Sequence, residues 1–185
     1  MSKSDKEGDW ILKIRGGDKE AFKMLYLKYY GQLCRFAWRF LRSPHLSEEV
    51  VQDTFLSVWE SRATLDVNKQ IKSFLYKIVR NKSLNHLKRQ TIVDDYNLES
   101  IWANDPHDTQ KHDFKEKNDF LLAVNKAIEN LPKGARQIYI LYQDDGLTYK
   151  EISEVLEIST KTVESQMTRA LKLIRQEITE KVREI

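Results

Sequence analysis

Over most of this chain apolar side chains recur every three to four residues, the spacing of helices that bury one stripe. Phe22, Leu25, Tyr29, Leu33, Phe36 and Phe40 keep it in a first long block. Val51, Phe55 and Trp59, widened by Val58, keep it in a second, and Ile71, Phe74, Leu75, Ile78, Val79 and Leu87 in a third. The breaks carry helix-end chemistry. A short helix over 9–15 ends near Gly16-Gly17, Asp18 caps the helix running to about 41, and Ser43-Pro44 supplies a capping hydroxyl and a proline at the first helical position. That third helix reaches about 62, a polar break covers 63–70, and a fourth helix spans 71–89. With only 3 Pro and 6 Gly in 185 residues, long helices are permitted and a turn-rich β-sandwich is disfavoured.

The period disappears over 91–118. This stretch is acidic, contains Pro106 and has few aliphatic residues, so it reads as a flexible linker. Period returns with Leu121, Val124, Ala127, Ile128 and Leu131. Pro132 stops that helix, a short one covers 135–142, and Asp144-Asp145-Gly146 makes a turn. Thr148-x-x-Glu151 is a capping box opening a helix over 149–156, and Ser159 caps a final helix over 160–182. The expected architecture is all-α: a helical domain over 1–90, an acidic linker over 91–118 and a second helical domain over 119–185.

Several function classes fall away. No apolar run approaches the about 18 residues a membrane span needs, and the N-terminal MSKSDKEGDW lacks a secretory core, so the expected location is the cytoplasm without membrane insertion. There is no Gly-rich phosphate loop and no nucleophile elbow; neither catalytic residues nor a cofactor are expected. Cys34 is alone and sits among aromatics, as a small hydrophobe does. His107 and His112 lie five apart in an acidic stretch without thiol partners, and no metal site is assigned.

The net charge of +3 conceals its distribution: residues 69–93 hold seven Lys or Arg and no acid, whereas 94–119 hold eight acids and three lysines. Around the fourth helix Lys69, Lys72, Lys77, Arg80, Lys82, Lys88 and Arg89 are interleaved with Asn81, Asn85, His86, Phe74 and Tyr76. Cations for phosphates, rings for stacking and amides for base edges are what a single-stranded nucleic acid requires of a surface; a basic solubilising helix is the bland alternative. Residues 148–173 give the sharpest signal, two short capped helices flanking a turn. Ile152, Val155 and Leu156 are expected to pack against Ile158, Val163, Met167 and Leu171. The second of these helices then presents Ser159, Thr160, Lys161, Thr162, Glu164, Ser165, Thr168, Arg169 and Lys172, suited to phosphates and base edges of a major groove. Glu164 reads either as an acceptor for a cytosine amino group or as an acid favoured by the helix dipole, with a slight preference for the dipole. Glu157 stands where such turns often carry Gly. The acidic face of the third helix, taken alone, reads as a solvated surface.

The strings Gly17-Asp18-Lys19-Glu20-Ala21-Phe22, Val50-Val51-Gln52-Asp53-Thr54-Phe55, Phe74-Leu75-Tyr76-Lys77-Ile78-Val79-Arg80-Asn81, Leu131-Pro132 through Arg136, Leu147-Thr148-Tyr149-Lys150-Glu151-Ile152 and Thr162-Val163 follow one another as in a known family. The chain resembles a bacterial sigma factor of the extracytoplasmic-function (group IV) class of the sigma-70 family, with a flavour of the sets expanded in Bacteroidetes. The resemblance implies a promoter-specificity subunit of RNA polymerase that catalyses nothing itself. It implies a sigma-2-like first domain whose Glu48, Glu49, Gln52, Asp53, Leu56 and Glu60 dock on the clamp helices of the polymerase β′ subunit, against the bland reading of that face. It implies that Asn68, Lys69, Lys72, Phe74, Tyr76, Lys77, Arg80, Asn81 and Asn85 handle the minus-ten element of promoter DNA, with Phe74 where the family often has Trp. It implies a sigma-4-like helix-turn-helix second domain, meeting the β flap and reading the minus-thirty-five element from Ser159 onward. The linker stands where larger sigma factors have a further domain, and an anti-sigma factor, typically membrane-anchored in the family, is an expected partner. Two rivals remain: a conventional helix-turn-helix regulator with an N-terminal sensor or dimerisation domain, and an adaptor that keeps the fold without reading DNA.

Overall fold

A computed structural model describes residues 3–66, 70–90 and 119–183. The described residues are helical, without strands, and cluster in two compact units. The linker expected over 91–118 lies outside them.

The first unit contains α1 (Lys3–Arg15), α2 (Lys19–Leu41), α3 (Pro44–Glu60), a 3-10 turn (Arg62–Thr64) and α4 (Ile71–Gln90). Helix α1 begins before the residue 9 expected from sequence. Glu7 explains the extension, because its carboxylate accepts a hydrogen bond of 2.7 Å from the Tyr29 hydroxyl and pairs with the Lys28 ammonium, fastening the early turns to α2. After α1 the backbone turns at Gly17, whose φ of 87° is costly for any residue with a Cβ. Asp18 then caps α2, its carboxylate accepting from the Glu20 and Ala21 amides at 2.9 and 3.0 Å. Ser43 caps α3 with Pro44 inside the first turn, as the dipeptide requires.

Leu25, Tyr29, Leu33 and Phe36 of α2, Val51, Phe55 and Val58 of α3, and Leu75, Tyr76 and Val79 of α4 are buried. Helix α2 packs on both α3 and α4. Phe36 meets Phe40 edge-on at 5.2 Å between ring centroids and lies 4.8 Å from Tyr76. The expected inward stripes need correction at their margins. Phe22, Trp59, Ile78 and Leu87 are only half-buried, and Phe74 is exposed.

The second unit is built mainly from α5 (Asp119–Glu129), α6 (Lys133–Gln143), α7 (Tyr149–Leu156) and α8 (Thr160–Arg183). Ala127, Ile128, Leu131, Ala135, Ala170 and Ile174 form one apolar cluster, flanked by Val124, Tyr139, Leu173 and Ile178. The long α8 therefore serves two purposes, since its later turns hold α5 and α6 while its first turns present a polar face.

The capping box at α7 is complete. The Glu151 amide donates to Thr148 Oγ1 at 3.3 Å, and Glu151 Oε2 accepts from both the amide and the hydroxyl of Thr148 at 2.8 Å. Glu151 is itself buried, so its carboxylate depends on those donors. Thr148→Ala is expected to destabilise this unit by about 1–2 kcal/mol, read as a lower melting temperature by differential scanning calorimetry. An unchanged melting temperature would mean that water replaces the hydroxyl without loss.

Candidate functional site

Three polar surfaces stand out. The first is the outer flank of α3, where Glu48, Glu49, Gln52, Asp53, Leu56 and Glu60 are all exposed, as residues three, four and seven apart on one helix should be. Leu56 is 55% exposed, unusual for an aliphatic side chain beside so many acids. It belongs to an apolar groove of about 470 Å³ walled by Phe22, Tyr26, Phe55 and Trp59, with Lys19 and Gln52 at the rim. Ring contacts hold the wall rigid. Phe22 lies 4.9 Å from Trp59 and 6.0 Å, edge-on, from Phe55, and Tyr26 lies 4.8 Å from both Phe55 and Tyr30. The Arg62 guanidinium covers Trp59 at 4.6 Å from its centroid and donates to the Trp59 carbonyl at 2.8 Å.

Tyr30 continues this wall toward Gln52. Its hydroxyl pKa is pushed up to about 12, first by burial and then by the neighbouring Cys34, while a hydrogen bond with Gln52 opposes the shift. Burial raises the Cys34 thiol as well, which fits the small hydrophobe expected there, although Cys34 is half-buried rather than buried. Both groups stay protonated at neutral pH, and Tyr30 keeps a neutral hydroxyl beside Gln52.

The second surface is the outer face of α4. Phe74, Lys77, Asn81 and Asn85 follow one another at spacings of three, four and four, a single stripe along the helix. Phe74 is 38% exposed, Asn81 and Asn85 are exposed, and Lys77 and Arg80 are half-buried. Arg80 Nη1 lies 3.5 Å from Asn81 Oδ1, a long contact that couples guanidinium and amide loosely. Tyr76 does not join them. It is fully buried, so its expected part in the nucleic-acid surface is withdrawn. The physical reason is phase: Tyr76 sits one residue from Leu75 and three from Val79, both buried, and shares their side of the helix. Lys72, four residues before Tyr76, also starts from that flank and is half-buried. Asn68 and Lys69 lie outside the described residues.

The third surface is the start of α8. Ser159, Thr160, Lys161, Thr162, Glu164, Ser165, Thr168, Arg169 and Lys172 line it. All nine are exposed, while Val163, Met167 and Ala170 are buried on the other side. Ser159 accepts from the Thr162 amide at 3.0 Å, and the two hydroxyls share a 2.8 Å hydrogen bond. Thr168 donates its hydroxyl to the Glu164 carbonyl at 2.9 Å, leaving lone pairs and a methyl group outward. Ile152 and Val155 of α7 are buried, and Leu156 and Ile158 are half-buried. Leu171 departs from its expected packing, being 53% exposed on the polar side. The turn is made without glycine: Glu157 adopts φ 59°, ψ 41°, and the Ile158 amide reaches the Ser153 carbonyl at 3.1 Å. No described helix is long and apolar enough to cross a membrane.

Helix phase alone is enough to place Tyr76 inside, but the groove walls carry no such signal. Phe22, Phe55 and Trp59 look like ordinary core residues in the sequence, and nothing in the sequence marks Tyr26.

Comparison with known proteins follows the same division. Residues 25–92 match the family model described as Sigma-70 region 2, and residues 121–174 that described as Sigma-70, region 4. The RNA polymerase sigma-H factor of Pseudomonas aeruginosa is 24% identical over 182 residues, spanning 94% of each chain. The ECF RNA polymerase sigma factor SigW of Bacillus subtilis is 22% identical over 178 residues, 91% of this chain and 94% of its own. Among solved structures, CnrH in complex with the cytosolic domain of CnrY matches with a TM-score of 0.61 at 19% identity, covering 95% of this chain and 98% of that one. The sigma factor RpoE of Bartonella quintana, in complex with the anti-sigma factor NepR, matches with a TM-score of 0.56 at 19% identity, over 85% and 96% of the two chains.

Proposed function

The chain belongs to the sigma-70 family, as a sigma factor of the extracytoplasmic-function class that directs RNA polymerase, and from that premise we propose how its surfaces divide the work. The α3 flank and its groove dock on the β′ clamp helices of core polymerase. The α4 stripe handles the unpaired strand of the minus-ten element, and the start of α8 reads the minus-thirty-five element in duplex form, with the β flap supporting the second unit. The observation that carries this is the succession on one chain of an apolar groove beside the acidic flank of α3, a basic helix with Phe74 exposed among amides, and a capped helix-turn-helix with a cationic face.

The physical logic is one of balance. Extruding bases from a duplex costs a few kcal/mol. Stacking on a ring such as Phe74 returns about 1–3 kcal/mol per base, and phosphate neutralisation by Lys77 and Arg80 adds a salt-dependent gain. Either surface alone would hold a promoter weakly. Carried together on polymerase, the second contact becomes intramolecular and the pair becomes selective. In the groove, rigid aromatic walls need little ordering on binding, and the exposed acids of the adjoining α3 flank steer a basic partner.

Both solved neighbours are held by a partner polypeptide, CnrY in one and the anti-sigma factor NepR in the other. An anti-sigma factor for this chain would cover the α3 groove and the α8 face, since occluding both blocks polymerase and promoter together.

The test is transcription reconstituted from core polymerase, this protein and a randomised promoter library. Discrete start sites with two conserved upstream elements are the expected result. Failure to direct any start site would overturn the proposal.

A further inference from the structure

The start of α8 carries one side chain that a DNA-facing surface should not tolerate. Glu164 is exposed and lies on the same ridge as Lys161, three residues before it, and Thr168, four after. Among the described residues its carboxylate makes no ion pair, although Lys161 is within reach by spacing. The helix dipole does not explain it either. The first turn of α8 contains no acid, Glu164 is the fifth helical residue, and the dipole's benefit fades beyond the first turn. An unpaired carboxylate brought within about 8 Å of phosphates is repelled. It persists at a DNA-facing position without loss only where a base offers it a donor.

In the major groove two bases donate through amino groups, adenine and cytosine. Adenine places its N7 acceptor beside that amino group, which repels a carboxylate and favours an amide instead. Cytosine has no acceptor of its own there. We propose that Glu164 is a specificity-determining residue that accepts a hydrogen bond from the N4 amino group of one cytosine in the duplex element read by α8. This rests on the assignment of α8 to promoter reading. The hydrogen bond offsets phosphate repulsion at sites with cytosine, and at other bases the repulsion stands, so the residue selects mainly by penalising wrong sequences. Thr168 fits the arrangement, because its hydroxyl is bonded to the Glu164 carbonyl and offers no donor that would compete for the carboxylate.

Full-length wild-type protein, Glu164→Ala and Glu164→Gln should each be assembled with core polymerase and used to transcribe a library randomised at both promoter elements. Wild type is expected to favour cytosine about tenfold at one upstream position. Glu164→Ala should lose that preference while keeping those at neighbouring positions, and Glu164→Gln should shift it toward adenine. An unchanged base profile in Glu164→Ala overturns the assignment. So does a uniform rise on all sequences, which would show general repulsion alone. In both cases wild-type preferences upstream remain, and the reading of α8 survives. Absence of any upstream preference in wild type would instead overturn that reading and this inference together.

Discussion

Leu56→Arg combined with Gln52→Ala is expected to weaken binding to core RNA polymerase by at least about a hundredfold. Leu56 stands more than half exposed at the rim of the groove, and Gln52 lines it beside Tyr30. Buried apolar anchors of such contacts are worth about 2–4 kcal/mol each, and every 1.4 kcal/mol is about tenfold in affinity. A guanidinium in the same place removes the apolar anchor and offsets the charge of Asp53 and Glu60, one turn away on a face that attracts a basic partner. Both positions face outward on α3 and only the Gln52 hydrogen bond with Tyr30 is lost, so the melting temperature should fall little. A titration of fluorescently labelled protein with core polymerase measures the effect. Wild-type affinity in the double variant would return the α3 face to a solvated surface.

Arg169→Ala with Lys172→Ala is expected to lower transcription from a cognate promoter about ten- to a hundredfold near physiological salt while leaving core binding intact. Both side chains are exposed on the polar side of α8. Removing one cation from a phosphate should reduce the slope of log affinity against log salt by about one, so the double variant should reduce it by about two. Promoter binding by the assembled holoenzyme across a salt series gives the slope directly. Full transcription with an unaltered slope would move the recognition face elsewhere.

These two surfaces differ in how legible they are in the sequence. The helix-turn-helix can be read because its chemistry is local: Thr148 and Glu151, or Ser159 and Thr162, cap a helix from within one turn, whatever the rest of the chain does. The same holds for Asp18, Ser43 and the turn at Gly17. Glu157 replaces the glycine such turns often carry, and it takes the left-handed conformation its position demands.

The groove is not legible in this way. Helical period identifies an apolar stripe but not how much of its width a neighbour covers, and Phe22 and Trp59 lie at the uncovered margin. Leu171 fails for the same reason at the edge of the α8 stripe. Tyr76 shows the opposite error. A run of basic, amide and aromatic residues suggests an interface throughout, whereas phase divides it into the stripe Phe74, Lys77, Asn81 and Asn85 and a buried side that takes Tyr76. Composition speaks for the helix, and only geometry sorts its residues.

The division of labour between opened strand and intact duplex is tested most directly by footprinting a cognate promoter with and without core polymerase. With polymerase present, the account predicts permanganate-reactive, unpaired thymines at the downstream element and protection of base-paired DNA at the upstream element, neither arising from the protein alone. Strong protection by the protein without polymerase, and no unpaired thymine with it, would contradict the account and mark the chain as a conventional duplex-binding regulator.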